Sequence, residues 1–371
     1  MAKTNLEVSI KEMQKKFGMV IAKGSECKAL KIHKIPTGSY IADYKLKGGF
    51  PRRRLVEIYS PEHTGKSFWI YKIISTNQKR CRNCEKSLEI CECENKDPYR
   101  ILLLDYEEGY IGEWINICGV DKENLTVTTP STWEDGIDMI EFAIKENLFD
   151  IIIVDSLTQA SPTFVLNRDS VDPTMGVKPK VNAVFCSKVL SAFSPEDITN
   201  EEDGKKPLVL FTQQVRDQLG TIGTYSPPPK PTGGWSLKHN KHISIGLKNK
   251  MLLDEKGNER KSTKEVCGKK IVGRIYKDKI EGEYLTEFEF DFYFKDILNE
   301  DLRIKKGEID NIKEIIDIAV IEGIIEQAGA WYKIPNVENK ISGKSNLRIF
   351  LSEQKEIYEE IKKQVEKIIY G

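Results

Sequence analysis

The feature that most constrains the fold is the segment EIYSPEHTGKSFWIYKI, at residues 57–73. The apolar, β-branched run LVEIY (55–59) predicts a buried strand, and an apolar helix is predicted from Lys66 to about Thr76. Between them, SPEHTGKS matches the phosphate-binding pattern G-x-x-x-x-G-K-[ST], except that Ser60 replaces the first glycine. We therefore predict a phosphate loop; the alternative is a strand–turn–helix unit that carries GKS by chance.

A phosphate loop needs backbone N–H groups directed into one concavity, a helix N-terminus behind them, a lysine and a hydroxyl. Lys66 would reach the outer phosphates, and the Ser67 hydroxyl would hold Mg²⁺. Ser60 costs little at the first position if the backbone there does not need a positive φ.

Buried strands and helices alternate after this loop. RILLLD (100–105), DIIIVD (150–155) and PLVLFTQQ (207–214) predict strands, with a helix at about 132–147. This order indicates an α/β fold whose parallel sheet is covered on both faces. HISIGLKNK, KKIVGRIYKDK and TEFEFDFYF predict antiparallel strands that continue the sheet. A helix with an apolar stripe is predicted at 5–18, and a small, charged and helical part from about 308.

Composition excludes some classes of protein. With 39% hydrophobic and 31% charged residues, the 371-residue chain can form a large core domain and smaller pieces. Lys+Arg and Asp+Glu are both 57, so any nucleic-acid site must come from local clustering of charge. The sequence has neither an apolar run long enough to span a bilayer nor a secretory leader, which predicts a cytoplasmic location.

Carboxylates follow two of the predicted strands. Asp155 ends DIIIVD, where a carboxylate beside the phosphate loop can bind Mg²⁺ directly or through water. Glu107 follows RILLLD and could activate or orient an attacking water, with Glu108 and Asp105 as competing candidates. A solvated acidic loop is the simpler interpretation of that second group.

With these segments the chain resembles the RecA recombinase family. The resemblance covers roughly residues 5–350 and follows an ordered series: TGSYIADYKLKGGFPRRRLVEIYSPEHTGKS, LLLDYEEGY, DIIIVDSLTQASP, LFTQQVRDQLG, PTGGWSLKH, IYKDK and EIIDIAVIEGIIEQAGAWYKI. A phosphate loop alone occurs in many NTPase families, so the order and the AGAWY segment carry the resemblance. The C-terminal match favours bacterial-type RecA over archaeal, eukaryotic and hexameric-helicase relatives.

The resemblance implies a RecA-like ATPase core with a central, mostly parallel sheet, an N-terminal helix and a small C-terminal α/β domain. The implied boundaries are 1–36 for the helix and linker that dock on a neighbouring subunit, 37–300 for the core, and 301–371 for the C-terminal domain.

Site residues follow from the resemblance position by position. Glu107 falls on the catalytic glutamate, and Gln214 falls on the glutamine that senses the γ-phosphate. Lys277 and Lys279 match paired lysines that reach the ATP of a neighbouring subunit. The implied ATP and Mg²⁺ contacts are Ser60, Glu62, His63, Thr64, Gly65, Lys66, Ser67, Trp114 (packing on adenine) and Asp155.

Two DNA-binding loops are implied, at about 162–178 and 215–235. Their implied DNA contacts are Met175, Gly176 and Lys180 at the first loop, and Arg216, Thr232, Gly233, Gly234 and Trp235 at the second. Lys230 and Lys238 could add salt-sensitive phosphate contacts or lie on a solvated surface. Trp235 replaces a smaller family residue and could stack on a base or pack the loop end.

The chain departs from the family at several points. Besides Ser60, His63 and Thr64 replace serine-like residues, and His63 is interpreted as a loop side chain without a catalytic role. The acidic tail of bacterial members is missing, since the chain ends KKQVEKIIYG. We hypothesise that it is a phage or other mobile-element member.

The largest departure is the insert RCRNCEKSLEICECENKD. Its C-x₂-C-x₆-C-x-C spacing predicts structural Zn²⁺ bound by Cys81, Cys84, Cys91 and Cys93; free thiols or a redox pair are the alternatives. The insert could serve DNA or a protein partner. The other cysteines are predicted to be reduced thiols: Cys27, Cys118, Cys186 and Cys267.

The predicted function is a DNA-dependent ATPase that forms helical filaments on single-stranded DNA and exchanges strands with homologous duplex. A RecA-like mediator or regulatory ATPase without strand exchange is the alternative. A metal-stapled DNA-binding module with a defective ATP site is the third possibility, and the dispersed site residues argue against it.

Overall fold

The computed structural model describes residues 2–109, 112–167, 176–215, 231, 233–260, 266–299 and 303–371, with side chains from residue 6 onward. Within these ranges the strands are β1 (Lys34–Ile35), β2 (Phe50–Pro51), β3 (Leu55–Ser60), β4 (Ile101–Asp105), β5 (Leu125–Thr128), β6 (Ile151–Asp155), β7 (Leu208–Gln214), β8 (Ile243–Leu253), β9 (Glu259–Arg260), β10 (Gly268–Asp278), β11 (Thr286–Tyr293), β12 (Ile297–Leu298), β13 (Arg303–Ile304), β14 (Glu326–Ala328), β15 (Trp331–Lys333) and β16 (Ile341–Ser342).

In the same ranges the α-helices are α1 (Ala2–Phe17), α2 (Tyr40–Lys45), α3 (Lys66–Asn77), α4 (Trp114–Ile117), α5 (Trp133–Lys145), α6 (Thr163–Leu166), α7 (Val177–Ala192), α8 (Gly234–Asn240), α9 (Asn311–Ile321), α10 (Lys344–Glu353) and α11 (Lys355–Tyr370). Short 3₁₀ turns add Gly24–Glu26, Lys28–Leu30 and Glu202–Lys205. No helix in these described ranges combines the length and apolar composition needed to cross a bilayer.

A nine-stranded sheet in the order β11-β10-β8-β3-β7-β6-β4-β5 organises the molecule, with β9 paired to β8. Its neighbours from β8 to β5 are parallel, while β10 pairs antiparallel with β8 and β11. The predicted α/β fold is therefore confirmed. The last three predicted strands are antiparallel to one another as expected, but β8 joins the sheet parallel to β3.

Alternate residues of the central strands pack on opposite faces of the sheet, as strand geometry requires. In β6, Ile151 and Ile153 lie in the core that includes α3, whereas Ile152 and Val154 lie in the core beneath α5 and α7. Both faces are thus covered, which explains why these strands are continuous apolar runs.

The C-terminal part packs on the α3 side. Ile315, Leu347 and Val365 belong to the same hydrophobic core as α3. The carboxylate of Glu314 on α9 accepts hydrogen bonds from Ser39 Oγ (2.6 Å) and Tyr40 N (2.8 Å) at the start of α2. The domain boundaries at 36 and 300 stay predictions.

The topology brings four strand ends together at the carboxyl edge of the sheet. Ser60, Asp105, Asp155 and Gln214 are the last residues of β3, β4, β6 and β7. Ser60 stands in register with Gln214, and Asp105 with Asp155. Open parallel sheets bind ligands at this edge, so the strand order fixes where a site can form.

Candidate nucleotide and DNA site

The loop of residues 60–65 turns from β3 into α3. Gly65 is the N-cap of α3 with φ +114°, and a Cβ there would lie 2.9 Å from Ile271 Cδ1. Only glycine suits this turn, which leaves the first amides of a 12-residue helix facing the carboxyl edge. Ser60 has no positive φ. Serine therefore fits the backbone at this position without strain, which is the condition stated above for replacing the first glycine.

Lys66 lies in a polar setting at the base of this loop. Its Nζ donates to Ser60 Oγ at 3.3 Å, and that hydroxyl donates to Pro61 O at 2.7 Å. Burial lowers the pKa of Lys66, while the carboxylates of Glu107 and Asp155 act in the opposite direction. The amine is thus held among acceptors and negative charges inside the molecule.

Asp155 is buried at the end of β6 and accepts a hydrogen bond from Thr212 Oγ1 at 2.5 Å. Burial raises the pKa of its carboxyl to about 6, although the Thr212 hydrogen bond opposes this shift. Charges on Glu107 and Asp105 raise it further. The Asp155 carboxylate and the Ser67 hydroxyl at the start of α3 offer oxygen ligands of the kind that Mg²⁺ prefers.

The three acidic candidates after β4 occupy different positions. The Asp105 carboxylate is buried and accepts from the backbone N–H groups of Glu107 (3.1 Å) and Gly109 (3.3 Å), so it shapes the turn. Glu108 is exposed with φ +54°. Glu107 is half-buried and lines the cavity beside Lys66. Of the three, only Glu107 presents its carboxylate to that cavity.

Gln214 connects Glu107 to the end of β7. Its Nε2 donates to Glu107 Oε1 at 2.8 Å, and its backbone N donates to Thr158 Oγ1 at 2.9 Å. The chain continues through Val215, whose N bonds Ser60 O at 3.1 Å, toward the predicted second DNA loop. One hydrogen bond therefore joins the predicted catalytic carboxylate to the root of that loop.

Lys66, Ser67, Glu107 and Gln214 line one cavity of about 830 Å³, whereas the buried Ser60 and Asp155 are not among its lining residues. Its wall includes several residues that the sequence reasoning missed: Phe68, Tyr71, Gly109, Gly112, Lys269, Phe292, Phe294 and Lys306. Lys269 Nζ donates to His63 O at 2.9 Å, and Lys306 Nζ lies 5.1 Å from the Trp114 ring centroid. Phe292 packs edge-on against Trp114, so the predicted adenine site is an aromatic corner. Glu62, His63 and Thr64 also line the cavity, and their contact with ATP stays a prediction.

Lys277 and Lys279 lie elsewhere. Both Nζ atoms donate to His239 O, at 3.0 and 2.6 Å, at the C-terminal end of α8. Burial, and next the charge of Lys279, lowers the pKa of Lys277 to about 8. Lys277 lines a second cavity of about 610 Å³ with Trp235, and none of its lining residues is shared with the Lys66 cavity. Within one chain, Lys277 and Lys66 therefore line different cavities.

The predicted DNA loops are described only at their ends. Gly176 is the N-cap of α7 with φ +89°. Gly233 is the N-cap of α8, and Gly234 is its first residue. The two ends meet, since a Cβ on Gly234 would lie 2.8 Å from Pro179 Cβ, and Asn182 Nδ2 donates to Gly233 O at 3.3 Å. Outside the described residues lie Met175, Arg216, Lys230 and Thr232.

Two further DNA candidates are on the surface. Lys180 is exposed on α7. Trp235 is 74% exposed and stacks on His239, with ring centroids 5.6 Å apart. Lys238 Nζ lies 4.9 Å from the same indole ring. This tryptophan thus contacts two side chains of α8 while most of its surface is exposed to solvent.

The four inserted cysteines come together in space. Each Sγ of Cys81, Cys84, Cys91 and Cys93 lies within 4.8 Å of the others. The cluster follows α3, at the opposite end of that helix from Lys66.

Comparisons with known proteins identify the family of this chain. The chain matches the RecA N-terminal domain over residues 4–299 and the RecA C-terminal domain over residues 313–369. It is 26% identical over 370 residues to Protein RecA of Chlorobaculum parvum, covering 99% of this chain and 92% of that protein. Protein RecA of Helicobacter hepaticus is 26% identical over 366 residues, covering 98% and 92%. Protein RecA of Wolinella succinogenes is 27% identical over 363 residues, covering 97% and 90%. The chain belongs to the RecA family.

Proposed function

We propose that this protein is an ATP-dependent recombinase that binds single-stranded DNA, forms helical filaments, and promotes homologous pairing and strand exchange. Membership of the RecA family supports a recombinase function in general. DNA-stimulated hydrolysis of ATP to ADP and phosphate, and a cytoplasmic location, are parts of the proposal.

Lys66, Ser67 and Asp155 are the proposed phosphate and Mg²⁺ ligands. The Gly65 turn fits a phosphate because backbone amides at a helix N-terminus attract anions. Lys66 would leave the Ser60 hydroxyl and move its charge to the phosphates. Mg²⁺, when bound, neutralises charge on the phosphate oxygens. Trp114 and Phe292 supply an aromatic surface on which adenine can pack.

The hydrogen bond between Gln214 and Glu107 is the observation that carries the proposal. Glu107 would orient and deprotonate the attacking water, and Gln214 would exchange this bond for the γ-phosphate when ATP binds. Because Gln214 lies at the root of the predicted second DNA loop, ATP could order the DNA-binding surface through it.

Two features of the single chain support self-assembly: an exposed apolar stripe on α1, and a lysine pair that lies away from the Lys66 cavity. On α1, Leu6, Met13 and Phe17 are exposed apolar side chains at helical spacing. Lys277 lines the other cavity, and both Lys277 and Lys279 donate to His239 O rather than reaching the Lys66 site of their own chain. A second copy that covers α1 and receives the lysine pair at its ATP would link assembly to nucleotide state.

DNA partners are proposed from the two loop ends. Gly176, Gly233 and Gly234 allow a close backbone approach, and the exposed Lys180 and Trp235 could contact phosphate and base. Single-stranded DNA would occupy this surface first, and a homologous duplex would follow.

The test combines ATP hydrolysis with and without single-stranded DNA, electron microscopy of the complex, and strand exchange with a homologous duplex. We expect DNA to stimulate hydrolysis, filaments to form with ATP, and exchanged product to appear. Absence of both stimulation and filaments would contradict the proposal. Filaments without exchange would instead favour the mediator or regulatory ATPase.

A further inference from the structure

We propose that Cys81, Cys84, Cys91 and Cys93 bind one Zn²⁺ ion, and that this zinc module holds the linker between α1 and the core. The metal site stands on its own chemistry. The consequence of this site for filament assembly rests on the proposed function, because the docking of α1 on a neighbouring subunit is part of that proposal.

The geometry of the thiols fits a tetrahedral ion. Cys84 Sγ and Cys91 Sγ are 3.5 Å apart, well beyond the ~2.05 Å of a disulfide. Two thiolates on one Zn²⁺, each about 2.3 Å from it, are separated by about 3.8 Å. Glu85 N donates to Cys81 O at 2.8 Å, so the C-x₂-C segment closes into a turn, and its two thiols lie within 4.8 Å of each other.

The segment has little else to hold it in shape. From residue 81 to 97, all of which the structure describes, the only buried hydrophobic residues are Cys81 and Cys91, and Ile90 is 66% exposed. Backbone pairing closes the segment at its base, through Arg80 with Ser87 and Cys81 with Pro98. A short segment without an apolar core gains its order from a bound metal.

The location of the module argues against direct DNA contact. It follows the C-terminal end of α3, whereas the phosphate loop lies at the N-terminal end of this 12-residue helix, about 18 Å away. The described ends of both predicted DNA loops lie at the carboxyl edge of the sheet, and the module contacts Asp150, which precedes β6 at the amino edge.

Arg82 in the C-x₂-C turn and Glu85 directly after it contact a buried network of ion pairs. Arg82 Nε lies 3.2 Å from the carboxylate of Asp150, which is fully buried. Glu85 lies 3.4 Å from the Arg52 guanidinium, and Arg52 also pairs with Asp150 at 2.7 Å. The turn is therefore part of the network that ties strand starts together, rather than an appendage on the surface.

The same network reaches the linker through His33. Glu85 Oε2 is 3.1 Å from His33 Nδ1, and Arg52 N donates to His33 O at 2.8 Å. Upstream, Ala29 N donates to Ile198 O at 3.1 Å. The His33 side chain contacts the module and lies 3.7 Å from Glu201, and its backbone bonds the core, so loss of the module should loosen the linker that carries α1.

Metal content is the first test. Purified protein should contain about one zinc per chain, and cobalt exchanged into it should give the visible absorption of a tetrahedral thiolate site. Cys84→Ser should lose the metal and lower Tm by more than about 5 °C, while the matched Cys27→Ser variant keeps both. Four reactive thiols with less than about half an equivalent of zinc, or iron in its place, would overturn the site.

Hydrogen exchange tests the linker independently of assembly. In Cys84→Ser, and in the zinc-retaining variant Glu85→Gln, the amides of Ala29 and Arg52 should exchange at least about tenfold faster, with Ile153 in β6 unchanged. Unchanged exchange at both amides in the zinc-free protein would refute the linker role. Exchange that rises equally at Ile153 would also refute it, because the metal would then stabilise the whole core.

Filament assembly is the last readout. Where wild type assembles, Glu85→Gln should need several-fold more protein to do so while binding ATP with unchanged affinity. Normal assembly of Glu85→Gln with weakened DNA binding would overturn the inference in favour of a DNA contact. If wild type fails to assemble, the proposed function fails, while metal content and hydrogen exchange still decide the zinc module.

Discussion

The two edges of the central sheet differ in how they use polar residues. At the carboxyl edge, Gln214 lines an open cavity of about 830 Å³ together with Lys66 and Glu107, which follow β3 and β4. At the amino edge, Arg52 and Asp150 are buried and paired at 2.7 Å. Polar groups at the first edge can exchange partners with a ligand, whereas those at the second already satisfy one another. Function and stability should therefore separate when each edge is altered.

The largest expected effect is at the carboxyl edge. Lys66→Ala should lower ATP turnover at least about 10²–10³-fold, because it removes the charge that would face the phosphates. Its Tm should stay close to wild type, since Lys66 Nζ makes a single 3.3 Å contact with Ser60 Oγ. Steady-state ATPase assays and thermal unfolding measure the two quantities, with Lys79→Ala on the exposed surface after α3 as control. If Lys66→Ala lowered Tm enough to explain the lost turnover, the carboxyl edge would also carry stability, which would contradict the comparison of the two edges.

The reverse pattern is expected at the amino edge. Asp150→Asn should destabilise the protein by about 3 kcal/mol, because Arg52 and Arg82 lose the carboxylate between them and Arg52 is only 3% exposed. ATP affinity of the folded protein should not change. Urea unfolding measures the first quantity and nucleotide titration the second. Asp138→Asn, in an exposed pair with Lys188, should leave both unchanged, and equal destabilisation by the two variants would contradict the account.

A third prediction concerns Glu314, a buried carboxyl that lies at neither edge of the sheet. Burial raises the pKa of Glu314 from its ordinary 4.5 to about 8, so between these values the folded protein binds a proton that the unfolded chain lacks. The stability from this carboxyl is fully present below pH 4.5 and is lost as pH rises through 8, at no more than about 1.4 kcal/mol per pH unit.

Glu314→Gln cannot titrate, so its Tm relative to wild type should rise across that pH window. Thermal unfolding from pH 5 to 9 measures the trend, with Glu326→Gln at an exposed position as control. Parallel profiles for wild type and Glu314→Gln would contradict the prediction.

The smallest effect is expected at the position that departs from the phosphate-loop pattern. Ser60 has an ordinary backbone φ, so Ser60→Gly should change turnover by less than about threefold. Comparison with Ser60→Ala separates loss of the hydroxyl that meets Lys66 from added backbone freedom. A tenfold gain in the glycine variant would instead indicate that Ser60 limits the loop.

Local patterns sufficed where a residue's role depends on its own strand or turn. Asp155 could be placed because an apolar run ends at it, and the cysteine cluster because its members are close in sequence, whereas Gln214 was implied only by the family resemblance. Phe292 and Lys306 could not be placed at the cavity, because they arrive from beyond β10 through long-range packing. The parallel pairing of β8 with β3 could not be predicted either, because the alternation of residue types along a strand does not indicate its direction.

The hydrolysis rate of Glu107→Gln, compared with Glu108→Gln, tests the central claim most directly. Both changes remove one carboxylate from adjacent residues, but Glu107 lines the cavity and contacts Gln214 at 2.8 Å, whereas Glu108 is exposed. In the presence of single-stranded DNA, we expect Glu107→Gln to bind ATP normally and hydrolyse it about 10²–10⁴-fold more slowly, with Glu108→Gln close to wild type. A larger loss for Glu108→Gln, or loss of ATP binding by Glu107→Gln, would contradict the assignment of Glu107 as the catalytic base.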